Sequence, residues 1–169
     1  TQKEEELQVV IREKEATQAE LQVQKAETDI AKRDAENERL KKFGVELGLY
    51  TDMPDTGRVA LDEALVEINN SGKFALNLIS DGKVLFDEAN EKSEDLLKNR
   101  TEEVHRDEVQ KLLQAPSLLI DASRSFGSAV FYIDDKNNEE FKKFLSNGKN
   151  ARNSAVQLIS ILKQFVSTL

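Results

Sequence analysis

The residues that could carry out catalysis or hold a metal are few in this chain. It has no cysteine and a single histidine, His105, which excludes thiol nucleophiles, zinc fingers and zinc sites built from several histidines. Glu102 and His105 have the Glu-x-x-His spacing that places a carboxylate and an imidazole on one helical face in di-iron bundles. Because that architecture needs the motif twice, we predict no metal site, no cofactor and no catalytic residue.

Sequence motifs for phosphate binding and hydrolysis are missing as well. The chain contains no Gly-x-x-x-x-Gly-Lys-Ser/Thr loop, no Gly-x-Gly-x-x-Gly turn and no Gly-x-Ser-x-Gly nucleophile elbow. The polar stretch 134–138 lacks the spacing and the glycine of an EF-hand loop. We interpret acidic runs such as Glu4-Glu5-Glu6 as solvated helix faces. The predicted function is therefore not enzymatic.

The composition favours long, exposed helices over a compact β fold. Charged residues make up 33% of the chain and apolar residues 38%, with two prolines, seven glycines and no tryptophan. The net charge of −8 argues against a nucleic-acid partner, since phosphate binding needs clustered Lys and Arg. Membrane contact is possible but not indicated. Without cysteine, a signal peptide or a long apolar run, the sequence predicts a cytoplasmic protein. Since it begins with Thr1, we expect a fragment or a processed chain.

Residues 1–50 are predicted to form a long coiled-coil helix. Its first 43 residues contain no Pro or Gly and are rich in good helix formers. Small or apolar side chains recur at the alternating three- and four-residue spacing of a coiled coil. This N-terminal seam consists of Val9, Ala16, Ala19, Val23, Ala26 and Ile30. An alanine-rich seam buries little area, so the helix needs a partner within the chain, in another protein or in a second copy; a solvated single helix is the alternative.

A connector is predicted at residues 51–57, because Pro54 disfavours helix at the preceding residue and the neighbouring Asp, Thr and Gly residues favour turns. From Leu61 to Leu96 the three- and four-residue spacing returns and predicts one long helix. We expect this helix to lie antiparallel to the N-terminal helix, with its small residues allowing close approach. The central part of its stripe, the second seam, consists of Gly72, Ala75, Ile79, Gly82 and Phe86.

Residues 73–87 also allow a different interpretation. Two apolar runs flank Asp81-Gly82, which is the dipeptide expected in a β-hairpin turn. In that case the domain would be sensory or regulatory, with the N-terminal helix as a signalling coil. The second seam continues through Gly82 without a change of spacing, and this favours helix.

The remainder of the chain is predicted to supply further helices. One is expected to start near Thr101. Pro116 interrupts a third apolar stripe and predicts either a kink or two helices over 102–114 and 116–133. Asn138 is a predicted N-cap for the next helix, and the regular apolar face at the C-terminal end predicts a core helix.

Together these patterns predict an all-α fold in which a long antiparallel hairpin, or coiled coil, continues into a bundle of about four to five helices. Residues 58–169 are expected to pack against the N-terminal helix. The predicted function is a protein–protein interaction or scaffold domain, with a protein partner or self-association through the N-terminal helix. A membrane-active helical toxin or secreted effector component is the main alternative.

Overall fold

The computed structural model describes residues 1–99 and 105–169, and these residues form an all-α fold of four helices. The helices are α1 (Gln2–Asn69), α2 (Ala75–Asn99), α3 (Arg106–Val130) and α4 (Glu139–Thr168). The described residues contain no strand, so the all-α prediction is confirmed and the β-hairpin alternative for 73–87 is wrong. By its contacts the chain divides into an N-terminal unit, residues 1–43, and a C-terminal unit, residues 44–169.

Helix α1 continues through residues 51–57, so the predicted connector is wrong as secondary structure. Pro54 lies inside the helix although it lacks the N–H that would donate to Tyr50 one turn earlier. The reason is packing, because a buried position recurs every three or four residues through this part of α1. This buried stripe consists of Leu47, Thr51, Pro54, Gly57, Leu61, Ala64 and Ile68. Its burial outweighs a proline cost of about 3 kcal/mol.

The single helix predicted from Leu61 to Leu96 is also wrong, because the chain turns between α1 and α2. Gly72 has a φ of 69°, in the left-handed region that glycine adopts at little cost. Its N–H donates to the carbonyl oxygen of Glu67 at 2.5 Å, which satisfies one of the last carbonyls of α1. A Cβ atom at this position would overlap the side chain of Ile133. Both the conformation and the space therefore require glycine.

The turn between α3 and α4 holds the end of α1 in place. The Lys136 ammonium donates to the carbonyl oxygens of Asn69 and Asn70 at 2.8 and 3.2 Å. A cation at a helix C-terminus satisfies carbonyls that have no partner within the helix and complements the helix dipole. This contact links two turns that are 66 residues apart in sequence.

Helix α3 is uninterrupted at Pro116, so the two-helix alternative for this region is wrong. Pro116 is fully buried, and packing again keeps the helix continuous at a proline. The predicted start near Thr101 lies outside the described residues. Helix α4 begins after Asn138, whose Oδ1 accepts a hydrogen bond from the backbone N–H of Glu140 at 2.8 Å. The predicted N-cap is thus confirmed.

The C-terminal unit has a hydrophobic core to which all four helices contribute. Its buried members are Leu61, Ala64 and Ile68 of α1, Ala75, Ile79 and Phe86 of α2, Ala115, Leu119, Ala122, Phe126 and Ala129 of α3, and Phe141, Ala155 and Ile159 of α4. Helix α3 packs against both α2 and α4. The ring of Phe126 lies so close to Gly148 of α4 that a Cβ there would overlap it. Small residues thus let the helices approach around a few large ones.

Candidate interaction surface

The N-terminal unit presents exposed apolar side chains along a helix. Residues 1–39 are all exposed, including the three alanines of the N-terminal seam. The side chains of Val9, Val23 and Ile30 are 53%, 56% and 50% accessible. Within the part of the chain that the structure describes, the N-terminal seam is therefore a helical surface that nothing covers.

The N-terminal seam occupies the inner positions of a heptad repeat. With Val9 taken as an a position, Val9, Ala16, Val23 and Ile30 are at a, and Arg12, Ala19, Ala26 and Arg33 are at d. Positions a and d line one face of a helix and form the contact surface of coiled coils. Two of the d positions are arginines, so a partner has to accommodate a guanidinium in those layers.

Charged side chains are segregated around this helix. Between residues 13 and 36, the e and g positions that border the seam hold seven acidic residues and one glutamine, which are Glu13, Glu15, Glu20, Gln22, Glu27, Asp29, Asp34 and Glu36. Over the same heptads the outer b, c and f positions hold Lys14, Lys25 and Lys32 and no acidic residue. Sequence reasoning missed these acidic borders, although counting positions from the seam is enough to find them.

The second seam lies in the C-terminal unit, where most of it belongs to the core. Ala75, Ile79 and Phe86 are 0%, 7% and 0% accessible, whereas Gly72 forms the turn between α1 and α2. Gly82 of α2 lies close to Gly57 of α1, a residue of the stretch predicted as a connector and not of the predicted N-terminal helix. A Cβ on Gly82 would lie 2.8 Å from the Gly57 carbonyl oxygen, and a Cβ on Gly57 would lie 2.9 Å from the Gly82 carbonyl oxygen.

A chain of ion pairs joins α1 and α4 within the C-terminal unit. Arg152 makes a bidentate pair with Asp62, with Nε–Oδ1 at 2.9 Å and Nη2–Oδ2 at 2.8 Å. Arg58 donates to Asp62 at 2.7 Å and to Asp55 at 2.9 Å, and Lys163 Nζ donates to Asp55 at 2.5 Å. Burial raises the pKa of Asp55, but hydrogen bonds from Lys163 and Arg58 hold it below the ordinary value of 3.8. The hydrogen bonds that Arg152 donates to Asp62 raise the pKa of its guanidinium.

Three of these charged residues, Asp55, Arg58 and Lys163, line an open groove of about 480 Å³. Its other walls include Val156, Ser160 and Gln164 of α4. Each charged group of the network already has a partner, and the lowered pKa of Asp55 keeps that carboxylate ionised near neutral pH. A general acid or base needs a proton that it can exchange near the working pH. The geometry thus gives these groups a role in holding α1 and α4 together.

The described residues contain neither a metal-binding cluster nor a membrane-spanning helix. Across 1–99 and 105–169 there is no group of three or more His, Asp or Glu side chains able to hold a metal ion. Glu102 lies outside the described residues, and the ring of His105, just before α3, lies 5.5 Å from the ring of Phe165. None of the described helices combines the length and apolar character needed to cross a membrane.

Comparison of the chain with models of known protein families, with curated proteins and with solved structures finds no match. Among the described residues, the most distinctive surface is the N-terminal seam with its acidic borders.

Proposed function

We propose that this chain is a non-enzymatic protein–protein interaction domain. In this proposal the N-terminal unit pairs with a partner helix as a coiled coil, and the helical bundle of the C-terminal unit is the folded scaffold that carries it. The observation behind the proposal is the N-terminal seam, a regular apolar face on a helix whose residues 1–39 are all exposed. Apolar surface of this kind lowers its free energy when another helix covers it.

The make-up of the seam supports pairing with another helix. Val9, Val23 and Ile30 are about half exposed, so each has further area to bury, at about 25 cal/mol per Å². The alanines between them have short side chains, which lets the backbone of a partner helix approach closely. Such a helix gains most of its stability from tertiary packing rather than from intrinsic propensity.

The acidic borders of the seam favour a protein partner over a membrane. Helices that lie in a membrane interface place Lys and Arg near the anionic headgroups. Here the residues next to the seam, such as Glu20 and Glu27, carry the opposite charge. An anionic bilayer would repel these borders while it covered the seam.

Binding of a synthetic helical peptide to the full chain tests the proposal. This neutral probe has about five heptads, with Ile at a, Leu at d and Gln at e and g, and with Glu in the two d layers that face Arg12 and Arg33 in a parallel pair. We expect it to bind and to slow amide hydrogen exchange in residues 1–39, because it covers the seam and stabilises the helix.

Two variants locate the binding face. Val23→Asp puts a charge on the seam, whereas Leu21→Asp puts the same charge at an f position of similar exposure, 59% against 56% for Val23. We expect Val23→Asp to weaken binding of the neutral probe by about ten-fold or more, which is about 1.4 kcal/mol, and Leu21→Asp to leave it nearly unchanged. If neither this probe nor a version of it with charged e and g positions binds, or if the two variants behave alike, the proposal is wrong.

A further inference from the structure

The borders of the N-terminal seam indicate which class of helix it binds. We infer that the partner is a different protein helix with Lys or Arg at the borders of its own apolar seam, and not a second copy of this chain. The inference depends on the proposed function, since it concerns the same surface. It is based on the sign and the position of the charges around α1.

A parallel pair of two copies would bring like charges together. In parallel coiled coils a g position faces the e position of the next heptad on the other helix. Glu15 would then face Glu20 of the second copy, and Asp29 would face Asp34, and symmetry makes each contact occur twice. At the d layers Arg12 would face Arg12 and Arg33 would face Arg33. Like charges at these positions disfavour the pairing.

An antiparallel pair of two copies has the same difficulty. In that orientation e positions face e positions and g positions face g positions. Between residues 13 and 34 every e position is acidic, namely Glu13, Glu20, Glu27 and Asp34. Any register that overlaps these heptads therefore sets carboxylates against carboxylates. Neither orientation lets this surface pair with itself without repulsion.

A helix with basic borders fits the same surface. Lys or Arg at its e and g positions would face the seven acidic residues that border the seam, and acidic side chains in two of its layers would face Arg12 and Arg33. The lysines at the outer positions, such as Lys25 and Lys32, would stay in solvent. Complementary charge of this kind raises the rate of association and selects among partners.

Three probes with the same seam separate the partner classes. They carry Lys, Gln or Glu at all e and g positions and are otherwise the neutral probe described above. At about 50 mM salt we expect the full chain to bind the Lys probe about 100-fold more tightly than the Glu probe, with the Gln probe between them. The difference should shrink at 1 M salt, where the Debye length falls to about 3 Å. Without a probe, sedimentation equilibrium should give the monomer mass of 19.1 kDa.

A matched pair of double variants assigns the preference to the borders. The first double variant combines Glu20→Gln with Glu27→Gln, and the second combines Gln18→Lys with Gln24→Lys. Each changes the net charge from −8 to −6. Only the first double variant alters e positions. We expect it to reduce the preference for the Lys probe by about ten-fold, while the second pair, at outer positions, changes it by no more than about two-fold.

The possible results distinguish the inference from the proposed function. Equal binding of the three probes, tighter binding of the Glu probe, or dimerisation of the chain more tightly than it binds the Lys probe would leave an interaction surface but overturn the partner class. Equal effects of the two double variants would also overturn it. If none of the three probes binds, the proposed function is wrong as well.

Discussion

The two ends of α1 have similar residue spacing but very different surroundings. From Leu47 to Ile68 a residue every third or fourth position is buried in the C-terminal unit. From Val9 to Ile30 the same spacing belongs to side chains that are exposed. Spacing thus shows which face of a helix is suited to packing, while the bulk and charge of the neighbouring residues indicate what can cover it.

Charge also differs between the two units. In the C-terminal unit acidic and basic groups are paired across helices, as Asp62 and Arg152 are. Between residues 13 and 36 of the N-terminal unit, the charges that border the seam are all negative, and those on the outer face are all positive. Paired charges link the helices of one unit, whereas we propose that borders of one sign select a partner.

The largest expected effect is a difference in the free energy of unfolding between truncating a core side chain and truncating a seam side chain. Phe126→Ala should lower the free energy of unfolding by about 3–5 kcal/mol, because the ring is fully buried and its loss leaves a cavity. Val23→Ala should change it by less than about 0.5 kcal/mol, because this side chain is exposed. Urea denaturation followed by circular dichroism measures both. A loss below about 1 kcal/mol for Phe126→Ala would contradict the assigned core.

A smaller effect is expected at the glycines inside helices. Gly57→Ala should destabilise the chain by about 1–3 kcal/mol, since its Cβ would lie 2.5 Å from the Phe86 ring and would force α1 and α2 apart. Gly127→Ala is the matched control, because nothing beyond the adjoining residues and backbone of its own helix lies within 4 Å of its Cβ position. It should stabilise α3 by about 0.5–1 kcal/mol. Thermal melting distinguishes the two, and a Gly57→Ala variant as stable as the parent would argue against the close approach to Gly82.

The smallest expected effect concerns acid stability. The pKa of Asp55 is lowered in the folded chain, so its stabilisation is present above the ordinary value of 3.8 and is lost as the pH falls through the folded value. Asp55→Asn should lower the free energy of unfolding at pH 7 by up to about 1 kcal/mol and flatten its fall below about pH 4. Asp52→Asn, on an exposed face of the same helix, is the control. Equal pH profiles for both variants would exclude a role for the ion pairs.

Much of the fold could be predicted from local signals. The N-cap at Asn138 follows from a polar turn and two acidic residues, and the all-α class follows from spacing and composition. The continuity of α1 through Pro54 could not be predicted in this way, because it depends on the core that buries the proline. A local rule for proline fails where tertiary packing supplies more free energy than the proline costs.

The turn at Gly72 did leave a signal in the sequence. Asn69, Asn70, Ser71 and Gly72 are four consecutive residues that favour turns. The apolar spacing on either side stays in phase across these four residues, and for that reason it predicts one helix. Only part of the ion-pair network could be predicted from the sequence. The spacing of Asp55, Arg58 and Asp62 places them on one helix face, but their partners on α4 are distant in sequence.

The glycine turn at residue 72 makes the chain unequally sensitive to insertions and deletions. Because the turn fixes which residue of α1 meets which residue of α2, one extra residue between Gly57 and Asn69 would rotate the preceding part of α1 by about 100°. Thr51, Pro54 and Gly57 would then leave the buried stripe. In the N-terminal unit an insertion of about seven residues, one heptad, preserves the seam. The N-terminal unit can thus vary in length by whole heptads, whereas the C-terminal unit requires a fixed number of residues between Gly57 and Asn69.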